Sequence, residues 1–313
     1  MSRSKWKRIL AVLPIAAALC LLTAARQNPY KISDRVNLVL LDVCVKDPRG
    51  GFVTGLHRGN FRVYDDGRLR EIANFADADT PVTIGLVNDD SGSMRSKRPE
   101  IVTAGLAFAR ESNPQDQFFV VNFNDRAYFG LPADLNFTDR LPILRAGLYF
   151  GTPSGQTALY DAVAMSLKHL ELSNRDKRTL IVVSDGGDNV SRMKFRDLMH
   201  IIDASQVTIY TIGLIDPANR DLNPRVLRKL SAVSGGEYFQ PESLDQVLPT
   251  FHHISQDVRS RYTIGFSPDL ANGKQGVHTV KVNVVDGSGR KLIARTRSSY
   301  STEAFDQLMA QGK

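Results

Sequence analysis

The chain is poor in cysteine and tryptophan. Of 313 residues, two are Cys and one is Trp. Cys20 lies in the apolar start of the chain, and once that start is removed Cys44 stands alone, so no intrachain disulfide can form. Cys44 sits in the run Val39-Leu40-Leu41-Asp42-Val43-Cys44-Val45 and reads as a small buried hydrophobe in a strand, not a reactive thiol. An exported chain with one cysteine points toward a bacterial envelope and away from a disulfide-stapled ectodomain. Several catalytic signatures are also missing. Residues 151–157 (Gly-Thr-Pro-Ser-Gly-Gln-Thr) look superficially like a phosphate loop. They lack the G-x-x-x-x-G-K-[ST] spacing and its Lys, which excludes that route to nucleotide hydrolysis. No G-x-G-x-x-G follows the first strand of the central region, and no G-x-S-x-G elbow exists. His252 and His253 are adjacent, so a helix would point them in different directions, and no zinc-ligand spacing surrounds them; both read as surface residues. The chain therefore reads as no enzyme. A hydrolase assembled from residues distant in sequence stays open, though fold alone would not support it.

Acidic residues are absent from residues 1–25, where Arg3, Lys5, Lys7 and Arg8 account for four of the seven net positive charges and leave +3 for the rest. That balance gives no argument for nucleic acid. The same 25 residues have the layout of a signal peptide: a basic start, an apolar run over 9–22, then Thr23-Ala24-Ala25. The run is short for a spanning helix and Pro14 interrupts it. Cleavage after Ala25 is expected, with an uncleaved membrane anchor as the alternative. Cys20 would suit a lipoprotein, but the bulky Leu19 before it argues against one. At 42% hydrophobic and 23% charged, the remainder is ordinary globular sequence.

The residues that carry chemistry stand at the ends of apolar runs. Thr83-Ile84-Gly85-Leu86-Val87 leads into Asp89-Asp90-Ser91-Gly92-Ser93, with oxygen-bearing side chains on alternate residues: Asp89, Ser91 and Ser93. Thr157 lies in a small-residue loop before a helical pattern. Asp185 follows Val182-Val183-Ser184 and precedes Gly186. Small oxygen ligands spaced this way can converge on one hard cation, and magnesium favours near-octahedral oxygen ligation. D-x-S-x-S, then Thr, then Asp-Gly is the pattern of the metal-ion-dependent adhesion site. Over roughly residues 80–255 the chain thus resembles the von Willebrand factor A domain family; one small departure is Asn88, where the family usually continues the apolar strand.

Organisation along the chain agrees with that resemblance. Residues 31–79 read as strands, with turns at Asp47-Pro48-Arg49-Gly50-Gly51 and Asp65-Asp66-Gly67. Residues 80–258 alternate strands (82–88, 117–123, 178–183, 207–213, 236–239) with helical periodicities. This predicts an α/β fold with a doubly wound, mostly parallel sheet, and sites at the carboxyl ends of its strands. Residues 260–300 return to strands. Each flank is too small to bury a core alone, so 31–79 and 260–300 are expected to pair in a small β-sandwich into which the α/β domain is inserted. The arrangement looks like a bacterial group of exported proteins that share Val53-Thr54-Gly55-Leu56, the 61–67 run and the 262–268 run. Residues 304–313 read as a frayed tail.

The resemblance implies a metal site of Asp89, Ser91, Ser93, Thr157 and Asp185. Magnesium is the expected ion, with manganese or calcium as alternatives. Its open position would take a Glu or Asp carboxylate from a protein partner. Asp90 and Asp161 are expected to face elsewhere, Asp188 and Asn189 to be loop polar residues, with support of the metal ligands from behind as the alternative, and Gly92 and Gly155 to allow close backbone approach. The expected function is a non-catalytic, exported protein-binding module, periplasmic or secreted, that meets a membrane only if the N-terminal segment is retained. An envelope scaffold with a purely structural metal is the alternative.

Overall fold

The computed structural model describes residues 38–77, 79–214, 223–268 and 276–311. The expected signal peptide, 1–25, lies outside the described residues. The chain opens with strands β1 (Val39–Lys46), β2 (Phe61–Asp65), β3 (Arg68–Arg70) and β4 (Ile72–Ala76). The central region follows: β5 (Val82–Asp89), α1 (Arg98–Glu111), β6 (Gln117–Phe123), β7 (Ala127–Phe129), α2 (Leu141–Leu148), α3 (Leu159–Leu170), β8 (Lys177–Ser184), α4 (Phe195–Ala204), β9 (Thr208–Gly213), α5 (Pro224–Ser234), β10 (Tyr238–Phe239) and α6 (Val247–Arg259). The chain closes with β11 (Tyr262–Phe266), β12 (Val277–Val285), β13 (Lys291–Arg295), β14 (Ser299–Ser301) and α7 (Phe305–Gln311).

The central sheet has the order β10-β9-β8-β5-β6-β7, parallel except for the antiparallel edge strand β7. All eight residues of β5 are buried, as a middle strand covered on both faces requires. Right-handed crossovers place the helices. The chain moves from β5 to β6 in one direction and from β6 to β8, β9 and β10 in the other. Helix α1 therefore covers one face, while α3, α4 and α5 cover the opposite one. Helix α6 packs beside α1, with Phe108 and Phe251 meeting edge to face at 6.1 Å.

The chain ends form the second layer system. Its strand path is β3-β2-β12-β13-β1-β11-β4, with β14 pairing β12. Three strands, β12, β13 and β1, lie between β2 and β11 along that path, yet Phe61 and Tyr262 meet with ring centroids 5.0 Å apart. The sheet therefore folds over on itself and encloses its own core of Leu41, Val43, Val63, Ile264, Phe266 and Val282. Strand β12 alternates exposed and buried residues throughout, the signature of a sheet with one wet face. The fold is thus an α/β domain inserted in a sandwich built from both ends of the chain.

A buried ionic knot joins the two layer systems. Only two residues separate α6 from β11, and one of them, Arg261, is 3% exposed. Its guanidinium donates to Asp257 Oδ1 (3.1 Å), the Tyr210 hydroxyl (3.0 Å), the Asp42 carbonyl (3.1 Å) and the Gly235 carbonyl (2.8 Å). Arg295 also pairs with Asp257 and with Glu237. Burial alone would raise the Asp257 carboxyl, but Arg261 and Arg295 outweigh it and hold the group below the usual carboxylate range. Cys44 is buried beside this knot, and burial pushes its thiol up to about 11, the state of an inert thiol.

Three features depart from the expectations. Strand β7 and helix α2 break the simple strand–helix alternation. Residues expected as a frayed tail instead form α7, whose Leu308 and Met309 pack against the central core beside α4. His253 is half-buried between Phe52 and Phe239 at 5.4 and 5.5 Å, whereas His252 is exposed and faces Glu111 at 2.8 Å.

Candidate metal centre

The chain leaves β5 toward β6 on one side and returns to β8 on the other. The connections therefore switch direction between the parallel neighbours β5 and β8, and open α/β sheets place their sites at the carboxyl end of such a point. Asp89 is the last residue of β5 and Asp185 follows the last residue of β8. Both are buried, each 3% exposed.

The oxygens of this edge form a connected chain. The Ser93 hydroxyl donates to Asp185 Oδ2 at 2.9 Å and lies 3.2 Å from the Ser91 hydroxyl. Asp89 stands behind them, its Oδ1 accepting the Ser91 amide at 2.9 Å and its Oδ2 accepting the Ser184 hydroxyl at 2.7 Å. Among the described residues no cationic side chain pairs with Asp89. Burial pushes its carboxyl up to about 6. Hydrogen bonds from Ser91 and Ser184 pull it down, and the charge of Asp185 adds to the rise. Neighbouring ligands of an octahedral ion with bonds of 2.0–2.1 Å lie about 3 Å apart. The Ser91–Ser93 and Ser93–Asp185 separations match that spacing, so these donors fit a small hard cation, which would also favour the charged form of Asp89.

Thr157 reaches the same edge on the loop before α3. Its amide donates to Asn189 Oδ1 at 2.9 Å, and its carbonyl accepts the Asn189 amide at 3.1 Å. Its hydroxyl has no hydrogen-bond partner among the described residues. The Gly92 amide approaches the Gly155 carbonyl at 3.3 Å, which sets this loop against the 91–93 turn. Gly155 has φ +76°, and a Cβ there would stand 2.3 Å from Asp125 Oδ2. Gly92 needs no such freedom, since a Cβ would meet only the Gly155 carbonyl, at 3.8 Å. Gly186 does, with φ +85° and the Asn223 carbonyl 2.7 Å from the position of a Cβ.

The surrounding polar residues have structural tasks. Asp90 turns to Tyr128, whose hydroxyl donates to it at 2.9 Å, and to Arg98 at 3.4 Å. Asp161 accepts the Arg192 and Met193 amides at 3.0 and 2.8 Å. Asp188 and Asn189 are more than loop polarity. Asp188 accepts the Tyr160 amide at 3.0 Å in the first turn of α3, and Asn189 holds Thr157 as described. Asn88 pairs with Asn122 across β5 and β6 at 3.3 Å, and Asn122 donates to the carbonyls of Gly147 and Phe150. The polar residue that interrupts the strand thus finds its partner in β6. Nothing in the sequence singled out Ser184 or Asn122. Their partners lie 95 and 34 residues away, beyond the reach of any local pattern.

A second set of ligating side chains lies on the sandwich. One ligand atom each from Asp65, Asp66 and His278 falls within 4.8 Å of the others, a set that could hold a cation. In the protein these groups already serve one another. Asp65 accepts the Tyr300 hydroxyl at 3.0 Å and pairs with Arg70 at 3.3 Å. Asp66 accepts the Thr279 amide at 2.9 Å and faces His278 Nδ1 at 3.0 Å. The His278 ring stacks on Tyr300, and the whole set fastens the β2–β3 turn to β12 and β14.

Comparison with known proteins bears on the family and the fold. Residues 84–187 match the family model of the von Willebrand factor type A domain. No curated protein matches the chain significantly. Among solved structures, a von Willebrand factor type A protein from Catenulispora acidiphila superposes with a TM-score of 0.52 at 14% identity, over 87% of this chain and 76% of its own. Proximal thread matrix protein 1 from the mussel byssus, solved with a zinc-occupied metal-ion-dependent adhesion site, gives 0.47 at 18% identity over 62% of this chain and 49% of its own. The von Willebrand factor domain of the type V pili tip protein Mfa5 from Porphyromonas gingivalis gives 0.45 at 12% identity, over 57% and 95%. Residues 84–187, which carry the Asp-x-Ser-x-Ser edge and the middle of the parallel sheet, are thus of the von Willebrand factor type A domain family.

Proposed function

We propose that this protein is a non-catalytic, exported binding module that uses a divalent cation, magnesium first, to hold a carboxylate of a protein partner. The observation that carries this reading is the run of oxygens from Ser91 through Ser93 to Asp185 at separations of 3.2 and 2.9 Å, backed by the buried Asp89. Ser91, Ser93 and Thr157 would supply hydroxyl oxygens to the ion, and Asp89 and Asp185 would supply charge. A dication neutralised mainly by two carboxylates attracts a further anion, which a Glu or Asp of the partner can provide. The signal-like residues 1–25 support export to the periplasm or beyond. Among the described residues, no helix is long and apolar enough to cross a membrane.

The test is capture of partners from an envelope extract on the immobilised protein, with magnesium, with EDTA, and with the Thr157→Ala variant. Thr157→Ala removes a hydroxyl but leaves both main-chain bonds to Asn189 intact, so thermal stability should move little. Partner affinity should fall by about 1–3 kcal/mol, the range for a coordinating or hydrogen-bonding group lost from a site. Equal capture by wild type, variant and EDTA-treated protein would place the partner elsewhere and favour the scaffold reading.

A further inference from the structure

We infer that Asn189 is a positioning residue that fixes Thr157 as a preset ligand; the inference rests on the metal-dependent reading above. Thr157 and Asn189 close a two-bond ring. The Thr157 amide donates to the Asn189 side-chain oxygen at 2.9 Å, and the Asn189 amide donates back to the Thr157 carbonyl at 3.1 Å. The main chain on both sides of Thr157's Cα is therefore tied to the loop that carries Asp185, four residues before Asn189.

The tie continues into the next turn. The Tyr160 amide donates to Asp188 Oδ1 at 3.0 Å, and the Asp161 amide donates to the Ser191 hydroxyl at 3.1 Å. Ser191 in turn donates to Asp188 at 2.6 Å. Asp161 accepts the Arg192 and Met193 amides. The start of α3 and the loop after β8 thus interlock as one body. Thr157 cannot shift relative to Asn189 without breaking these two bonds.

The side chain behaves differently from its backbone. The Thr157 hydroxyl takes no partner among the described residues, although the residue is only 7% exposed. Its main chain is fully committed and its one ligating atom is left available. A side-chain acceptor at 189 is what this arrangement needs. Alanine there would free the Thr157 amide, whereas aspartate would keep an acceptor oxygen in place.

Magnesium titration of the full chain by calorimetry tests the inference, using wild type, Asn189→Ala, Asn189→Asp, Thr157→Ala and the Thr157→Ala/Asn189→Ala double variant. Loss of a group that orients a metal ligand typically weakens metal affinity about 10–100-fold, and Asn189→Ala should fall in that range. Asn189→Asp should bind within about threefold of wild type because the acceptor is restored. If Asn189 acts through Thr157, the alanine change should cost less than about twofold in the Thr157→Ala background. Wild-type affinity in Asn189→Ala would overturn the inference, as would a full loss that persists in the Thr157→Ala background. Failure of wild type itself to bind magnesium would sink the metal-dependent reading, and the inference with it. That result appears in an arm containing no substitution at 189, so the two failures are distinguishable.

Discussion

The Ser184 hydroxyl donates to Asp89 Oδ2 at 2.7 Å, joining the ends of two neighbouring parallel strands through their side chains. The Ser184 hydroxyl oxygen also accepts the Gly186 amide at 3.0 Å. Because Asp89 Oδ1 is held by the Ser91 amide, both carboxylate oxygens are oriented by the protein alone. Ser184 is therefore part of the site's frame, although it belongs to no recognised ligand pattern.

Ser184→Ala should destabilise the fold by about 1–3 kcal/mol, because it leaves a buried carboxylate oxygen and a buried amide short of partners. Denaturant unfolding measures this. A change below about 0.5 kcal/mol, the size expected of a neutral surface substitution, would show that Asp89 is held by other means.

The ionic knot at the joint gives a second prediction. Asp257→Asn leaves Arg261 and Arg295 buried without their shared countercharge. Breaking a buried pair in this way costs about 3–5 kcal/mol. The pH dependence follows from the sign of the shift. The Asp257 carboxyl is held below its unfolded value, so its stabilising contribution is present above the ordinary carboxylate range and is lost as pH falls through the folded pKa. Wild type should therefore lose stability on acidification below about pH 4 more steeply than the Asn variant. Parallel acid limbs in the two proteins would contradict this role for Asp257.

The same knot bears on domain boundaries. A fragment of residues 80–258 retains the parallel-sheet core but ends before Arg261, the main partner of Asp257. It should fold cooperatively, with a lower melting midpoint than the same region in the whole chain. Residues 31–79 alone should show no cooperative melt, since β1 and β2 find their neighbours in β11, β12 and β13. A dispersed NMR spectrum and a cooperative transition from residues 31–79 would refute the account of the sandwich.

The parts of this structure legible in the sequence are those governed by local periodicity. The central strands lie within a residue or two of the apolar runs that announce them, and the helix Phe195–Ala204 shows its amphipathic spacing directly. Asp89, Ser91, Ser93 and Asp185 stand out because they end or follow buried strands, and Thr157 because it ends a small-residue loop before a helix. The Ser184–Asp89 bond, the Asn88–Asn122 pair and the Arg261 knot are of another kind. The first two join residues far apart in sequence; in the knot Arg261 and Asp257 are four residues apart, but Tyr210, Asp42 and Arg295 come from elsewhere in the chain, and each partner alone is an ordinary residue. Helix α7 escaped notice because its stability comes from docking beside α4, not from any strong signal of its own. The sequence leaves Asn189 open between loop polarity and support of the ligands, because its task is to bond the main chain of Thr157, which leaves no trace in side-chain type.

The most direct test of the central claim is magnesium binding by wild type and Asp89→Ala, measured by calorimetry with thermal melts alongside. The strand beneath Asp89 is held by apolar packing, with Ile84, Leu86 and Val87 each no more than 1% exposed, so the variant should stay folded. The account predicts measurable magnesium binding by wild type and its loss in Asp89→Ala. Unchanged magnesium binding in the folded variant would contradict a metal centre built on Asp89, Ser91, Ser93, Thr157 and Asp185.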